Sequence, residues 1–125
     1  MAAPDAHLPR QVPIDGYQPG SFHFAGMASA GSILALPSGI HAWAPESTAE
    51  INAASLEPVL AQAGAIELLI IGTGIDPWAM PDALRWRFRD AGIGVDAMPT
   101  RAAASTYNVL LAEGRAVAAA LLALP

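Results

Sequence analysis

The sequence predicts a single mixed α/β domain, and three observations carry that prediction. Ile66–Ile71 is a nearly unbroken apolar run that ends at Gly72, the pattern of a strand buried on both faces. Apolar residues at helical spacing follow and precede such runs, separated by Gly and Pro punctuation. Upstream, short strand-like runs lie too close together for helical crossovers, so they pair antiparallel.

The elements follow in order. Residues 1–12 contain Pro4 and Pro9 and read as a flexible arm, with a single domain over 13–125. Ser21–Ala28 alternates, with Phe22 and Phe24 on one side and Ser21 and His23 on the other, and is expected to be one strand. Ala30–Gly31 is a turn, Ser32–Leu36 a second strand, Pro37–Gly39 a second turn and Ile40–Ala44 a third strand, giving an antiparallel meander. After a connection over 45–54, Ser55 is expected to cap a helix bearing Leu56, Val59, Leu60 and Ala63 on one face, stopped by Gly64. A second helix is expected over Pro81–Ala91. Leu84 and Phe88 face inward, Arg85 and Arg89 share another face, and Asp82 can pair with Arg85. Ile93–Met98 is the next strand. Thr100 is expected to cap a third helix over Arg101–Glu113, stopped by Gly114. Arg115–Leu122 is read as the last strand, with a helix as its alternative because of its alanines. Successive strand–helix–strand units require parallel neighbours.

Composition excludes several chemistries. The chain has 125 residues, a formal charge of −5, six Arg, no Lys and no Cys. Schiff-base and phosphate-loop lysines are ruled out, as are disulfides, thiol catalysis and Cys-ligated metals. An acidic chain with scattered Arg does not fit the phosphate backbone, so no nucleic-acid partner is expected. No apolar stretch has the length of a membrane span, and the polar, Pro-rich N-terminus does not read as a secretory signal. A cytoplasmic location is the expectation.

Candidate sites are few. Gly72-Thr73-Gly74 sits directly after the strongest strand, where open α/β sheets bind ligands, although Pro77 stands where a dinucleotide fingerprint needs glycine. Arg101, Ser105, Thr106, Tyr107 and Asn108 group in the front half of the third helix and suit an anion. Both sets also have an ordinary reading as turn and helix-seating residues. His23 and His41 come near each other only if their strands pair, and no metal or other cofactor is expected. No catalytic set is assigned, since no nucleophile has a partner fixed by spacing. Trp78, Trp86, Arg85 and Arg89 are the candidate partner surface.

Several of these residues form a family pattern. Ile70-Ile71-Gly72-Thr73-Gly74, then Ala91-Gly92-Ile93-Gly94-Val95 and Met98-Pro99-Thr100, then Thr106-Tyr107-Asn108 and Glu113-Gly114-Arg115, resemble the small Mth-type domain family of unknown function. The mitochondrial member of that family is an assembly factor for respiratory complex I. The resemblance covers roughly Val12 onward. It implies a three-layer β/β/α domain, with a parallel central sheet and a second antiparallel sheet, and no established enzymatic activity. It departs from the family at Ile75 and in lacking an early-helix Cys. Two readings result: an accessory protein acting through protein contacts, and a small-molecule or anion-binding domain, possible as an enzyme, with its site at Gly72–Gly74. Oligomeric state is left open.

Overall fold

A computed structural model describes residues 6–125. The described residues form two sheets and three α-helices. The strands are β1 (Ala6–Leu8), β2 (Gly16–Gln18), β3 (Ser21–Phe24), β4 (Met27–Ala30), β5 (Ser32–Leu36), β6 (Gly39–Trp43), β7 (Leu68–Gly72), β8 (Gly94–Met98) and β9 (Val117–Leu121). The helices are α1 (Glu57–Ala61), α2 (Asp82–Asp90) and α3 (Thr100–Ala112), with single 3-10 turns at Thr48–Glu50 and Ala63–Ala65.

The main sheet runs β1-β6-β5-β9-β7-β8. Its parallel part is β9-β7-β8. β5 joins β9 antiparallel, and β6 and β1 continue antiparallel outward. The central sheet is therefore mixed rather than parallel throughout. The second sheet, β2-β3-β4, is antiparallel. Alternation sorts the main sheet's side chains into two cores. Leu34, Leu36, Leu69, Ile71, Ala118 and Ala120 pack with Val59 of α1 and with Leu84 and Phe88 of α2. Ile33, Ala35, Ile70, Ala119 and Leu121 face Ala103, Ala104 and Tyr107 of α3 together with Phe22 and Phe24 of the second sheet. The layers are thus helices, main sheet, then a second sheet beside α3.

Several sequence expectations are corrected. Ser21–Ala28 is not one strand. Ala25 (φ 50°) and Gly26 (φ 77°) form a two-residue turn between β3 and β4, and positive φ at both centres is the turn whose twist suits a hairpin. The three-strand meander is not formed either. β3 pairs with Gly16–Gln18 on one side and with β4 on the other, while β5 and β6 join the main sheet. His23 and His41 therefore lie in different sheets, and no cluster of three metal-ligating side chains occurs among the described residues. Ser55 does not cap α1. It bonds reciprocally with Asn52, whose Oδ1 accepts from the Ser55 N–H while the Ser55 Oγ accepts from the Asn52 N–H. Leu56 is the residue before the helix, and Gly64 lies in the following 3-10 turn. Thr100 is the first residue of α3, after Pro99, and its hydroxyl is used elsewhere. Asp82 and Arg85 make no ion pair. Among the described residues the structure records one, Arg115–Glu67 at 2.7 Å.

The last segment is a strand, as first read. β9 is wholly buried, and its alanines let helices approach from both faces. Burial overrides alanine's preference for helix here. Of the arm expected over 1–12, residues 1–5 and the His7 side chain lie outside the described residues. Ala6–Leu8 pairs with β6, and Val12 is buried.

Candidate functional site

The carboxyl ends of β7 and β8 are where a ligand would be expected. The chain after β7 leads to α2 on one face, and the chain after β8 leads to α3 on the other. Loops diverging to opposite faces open a crevice between adjacent strands. Gly72, Thr73 and Gly74 stand on one side of it and Met98, Pro99 and Thr100 on the other.

The protein fills this crevice itself. The Gly74 N–H donates to Thr100 Oγ1 (2.8 Å), and the Thr100 hydroxyl donates onward to the Leu122 carbonyl (2.8 Å). The Thr100 N–H returns to the Gly74 carbonyl (2.9 Å), and the Leu122 N–H donates to the Gly72 carbonyl (2.9 Å). One fully buried hydroxyl thus joins the end of β7, the start of α3 and the end of β9. Glycine at 72 is a steric requirement: a Cβ there would lie 2.9 Å from Leu121 Cδ2 and 3.1 Å from Thr100 Cα. Gly74 is at φ +79°, which suits glycine. Thr73 is also engaged, with its hydroxyl donating to the Asp76 carbonyl (2.8 Å) and its N–H to the Met98 carbonyl (2.9 Å).

Outside this knot lies an open depression of about 370 Å³ lined by Glu46, Ser47, Thr73, Gly74, Asp76 and Leu122, among others. Its ionisable side chains are the carboxylates Glu46 and Asp76, and no arginine lines it. That charge opposes an anionic ligand.

The helix residues expected to complete the site are not brought to it. Arg101 is exposed and lies over the Tyr17 ring, 5.7 Å from its centroid. Thr106 Oγ1 meets Met98 Sδ at 3.4 Å. Tyr107 is fully buried and donates to the Val12 carbonyl (2.7 Å). Burial pushes its phenol far above the ordinary tyrosine value, against a smaller opposing pull from Gln11. Asn108 sits two turns from the helix start, about 12 Å at the α-helical rise. It grips the backbone of Ile14 twice: its Oδ1 accepts from the Ile14 N–H (2.8 Å), and its Nδ2 donates to the Ile14 carbonyl (2.7 Å). Tyr107 and Asn108 therefore fasten the segment before β2 onto α3. Glu113-Gly114-Arg115 closes α3: Gly114 takes φ +78°, and Arg115 bonds Glu67 (2.7 Å). Thr100 is the residue whose role sequence reasoning missed. A Thr following Met-Pro at the start of a helix was the available signal, and capping was the simpler reading.

The candidate partner residues lie around α2. Trp78 is half-buried and packs against the core shared with α1 and α2. Trp86 is 59 % exposed, and the Arg89 guanidinium lies 5.1 Å from its ring centroid. Arg85 is exposed. No helix among the described residues is long and apolar enough to cross a membrane.

Residues 14–122 match the family described as "Protein of unknown function (DUF498/DUF598)". An uncharacterized protein of Rhodobacter capsulatus is 38% identical over 125 residues, covering 100% of this chain and 95% of its own length. The mouse protein named NADH dehydrogenase [ubiquinone] 1 alpha subcomplex assembly factor 3 is 29% identical over 120 residues, 96% of this chain. The chain spans 65% of that relative's length. Among solved structures, one described as an outer membrane protein of Bartonella henselae superimposes with a TM-score of 0.91 at 42% identity, covering 95% of this chain and 100% of that one. A Bordetella pertussis protein described as a Mth938-like domain matches with a TM-score of 0.79 at 28% identity, over 89% of this chain and 85% of its own. By that match over residues 14–122 and by these superpositions, the chain belongs to the DUF498/DUF598 family of proteins of unknown function and has the Mth938-like fold.

Proposed function

We propose that this protein is an accessory factor that works through protein contacts, in the manner of an assembly factor, rather than a ligand-processing enzyme. The observation that carries this reading is its relation, over nearly the whole chain, to proteins named as assembly factors of NADH dehydrogenase. Two structural features support it. The amide of Gly74, the best-placed donor for a ligand, is spent on Thr100. The α2 surface instead presents an exposed tryptophan with arginines around it, the residue types enriched at contact hot spots. Trp86, Arg85 and Arg89 form the contact surface in this reading, with Trp78 anchoring the loop before the helix.

The test is deletion from the source organism followed by native electrophoresis of its NADH dehydrogenase. Loss of the protein is expected to reduce the assembled complex and to leave partial assemblies. Complementation by Trp86→Ala is expected to restore less than the unaltered gene does. Unchanged assembly in the deletion strain would refute the proposal.

A further inference from the structure

The four sheet edges of this fold are not alike. The main sheet ends in β1 and β8, and the second sheet ends in β2 and β4. A bare edge offers unpaired N–H and C=O groups to another strand, and charges or bulges discourage that pairing. β1 carries a register shift between Ala6 and Leu8, and β8 carries Asp96 at its centre. β2 starts beside Asp15, and the Arg101 guanidinium lies over its Tyr17 ring. β4, Met27-Ala28-Ser29-Ala30, has no such device. It lies within a run, residues 16–45, that holds no Asp, Glu, Lys or Arg, on a chain of formal charge −5.

Hairpin geometry fixes which groups of β4 point outward. Across a two-residue turn, Phe24 and Met27 form a hydrogen-bonded pair, and such pairs alternate along the ladder. Met27 and Ser29 therefore direct their backbone groups at β3, while Ala28 and Ala30 turn theirs to the open side. Both alanines are exposed, and neither makes a backbone hydrogen bond elsewhere among the described residues. An open depression of about 350 Å³ runs along the strand. Its lining, Phe24 and residues 27–30, belongs to the β3–β4 hairpin alone. Ser29 is 7 % exposed, and its hydroxyl is buried without a hydrogen-bond partner. Such an unmet hydroxyl is costly to the isolated chain.

We propose that β4 pairs antiparallel with β4 of a second copy of this chain, about a two-fold axis at Ser29, joining the two three-stranded sheets into one of six strands. In that register Ala28 faces Ala30 of the second copy and exchanges two backbone hydrogen bonds with it, and the symmetric pair makes two more. The two Ser29 residues stand opposite each other on the axis, with Cβ atoms about 4.5–5.5 Å apart. Rotation about χ1 then lets one hydroxyl donate to the other. The outward backbone groups call for another strand, and two features select a second copy as that strand. The two-fold places a hydroxyl opposite the unpartnered one by symmetry. Two chains of charge −5 repel, and β4 lets them meet with no like charges face to face. The contact is small against a standard interface of about 800 Å² per partner, so the dimer is weak and concentration-dependent. This inference is independent of the accessory-factor reading, which a monomer leaves intact.

The experiment is NMR spectroscopy and sedimentation equilibrium on the purified full chain, from micromolar to millimolar concentration. The apparent mass is expected to rise from monomer toward dimer, with the largest concentration-dependent shifts at the Ala28 and Ala30 amides. A mixture of carbon-13-labelled and unlabelled chains is expected to show an intermolecular NOE between Ser29 Hα protons, which approach closely in a non-hydrogen-bonded pair. Charges placed on the exposed outer face supply the second arm. Ala28→Glu/Ala30→Glu sets glutamate against glutamate across the axis and is expected to weaken association roughly ten-fold or more. Ala28→Arg/Ala30→Glu sets each arginine against a glutamate of the other copy and is expected to match or exceed the parent. Neither side chain enters the core, and a cooperative thermal melt like the parent's verifies folding. A monomer at millimolar concentration overturns the proposal. So does association whose shifts and NOEs fall on another face, or a dimer of equal strength in the two charge variants.

Discussion

Two side chains hold together what the backbone alone leaves open. Thr100 serves one donor and one acceptor at the meeting point of three elements. Thr100→Val keeps the shape, removes the hydroxyl and strands the Gly74 N–H and the Leu122 carbonyl in a dry site. A loss of about 2–4 kcal/mol is expected by urea denaturation, with Thr100→Ser retaining most of the stability. Tyr107 makes the second such contact, and its environment sets a pH dependence. Its raised folded value means that both states are protonated below about pH 10 and the stability is fully present there. Above that, the unfolded phenol ionises while the folded one does not, so stability falls by up to about 1.4 kcal/mol per pH unit. Tyr107→Phe is expected to be less stable than the parent at neutral pH and to show a shallower decline above pH 10 in denaturation curves. Residue types at these positions were visible in the sequence, but their partners were not. Thr100 reads equally well as a cap, and Asn108 as a ligand donor, until Leu122 and Ile14 are placed beside them.

At the level of elements, the strongly patterned segments were legible and the short ones were not. Leu84 and Phe88 announced α2, the Ile70-Ile71-Gly72 run announced β7, and both stand within a residue or two of expectation. The β3–β4 hairpin was hidden because alternation runs through Ala25 into Met27 and Ala28, and Ala-Gly is a weak turn signal. That turn holds alanine at φ 50°, where asparagine is better tolerated. Ala25→Asn is expected to raise stability by about 0.5–1 kcal/mol, seen as a higher urea midpoint at unchanged slope. A drop in stability would mean that the turn does not hold this conformation in solution. The α1 region misled for a different reason. Asn52 and Ser55 satisfy each other, so the helix that Ser55 seemed to open begins two residues later and is only five residues long.

At the scale of the molecule, the order of strands was the least legible property. Which sheet takes β5 and β6 depends on pairings between β5 and β9, which no local pattern encodes. β9 lies at the centre, between β5 and β7, with helices or sheet on both faces. Ala119 pairs with Ala35 on one side and Ile70 on the other. Ala119→Asp would bury an unpaired carboxylate there, and loss of the dispersed amide NMR spectrum is the expected outcome. Retention of a native spectrum would show that this strand is not the keystone of the sheet. Its place has a further result during synthesis. Every other strand of the main sheet precedes β9 in the chain, so a nascent polypeptide cannot assemble that sheet as it emerges. Until residues 117–121 leave the ribosome, the β5–β6 ribbon and the β7–β8 pair must wait as separate halves with open inner edges. Among the described strands, the main sheet can therefore close only once β9 has been made, and the inner edges of β5 and β7 stay unpaired until then.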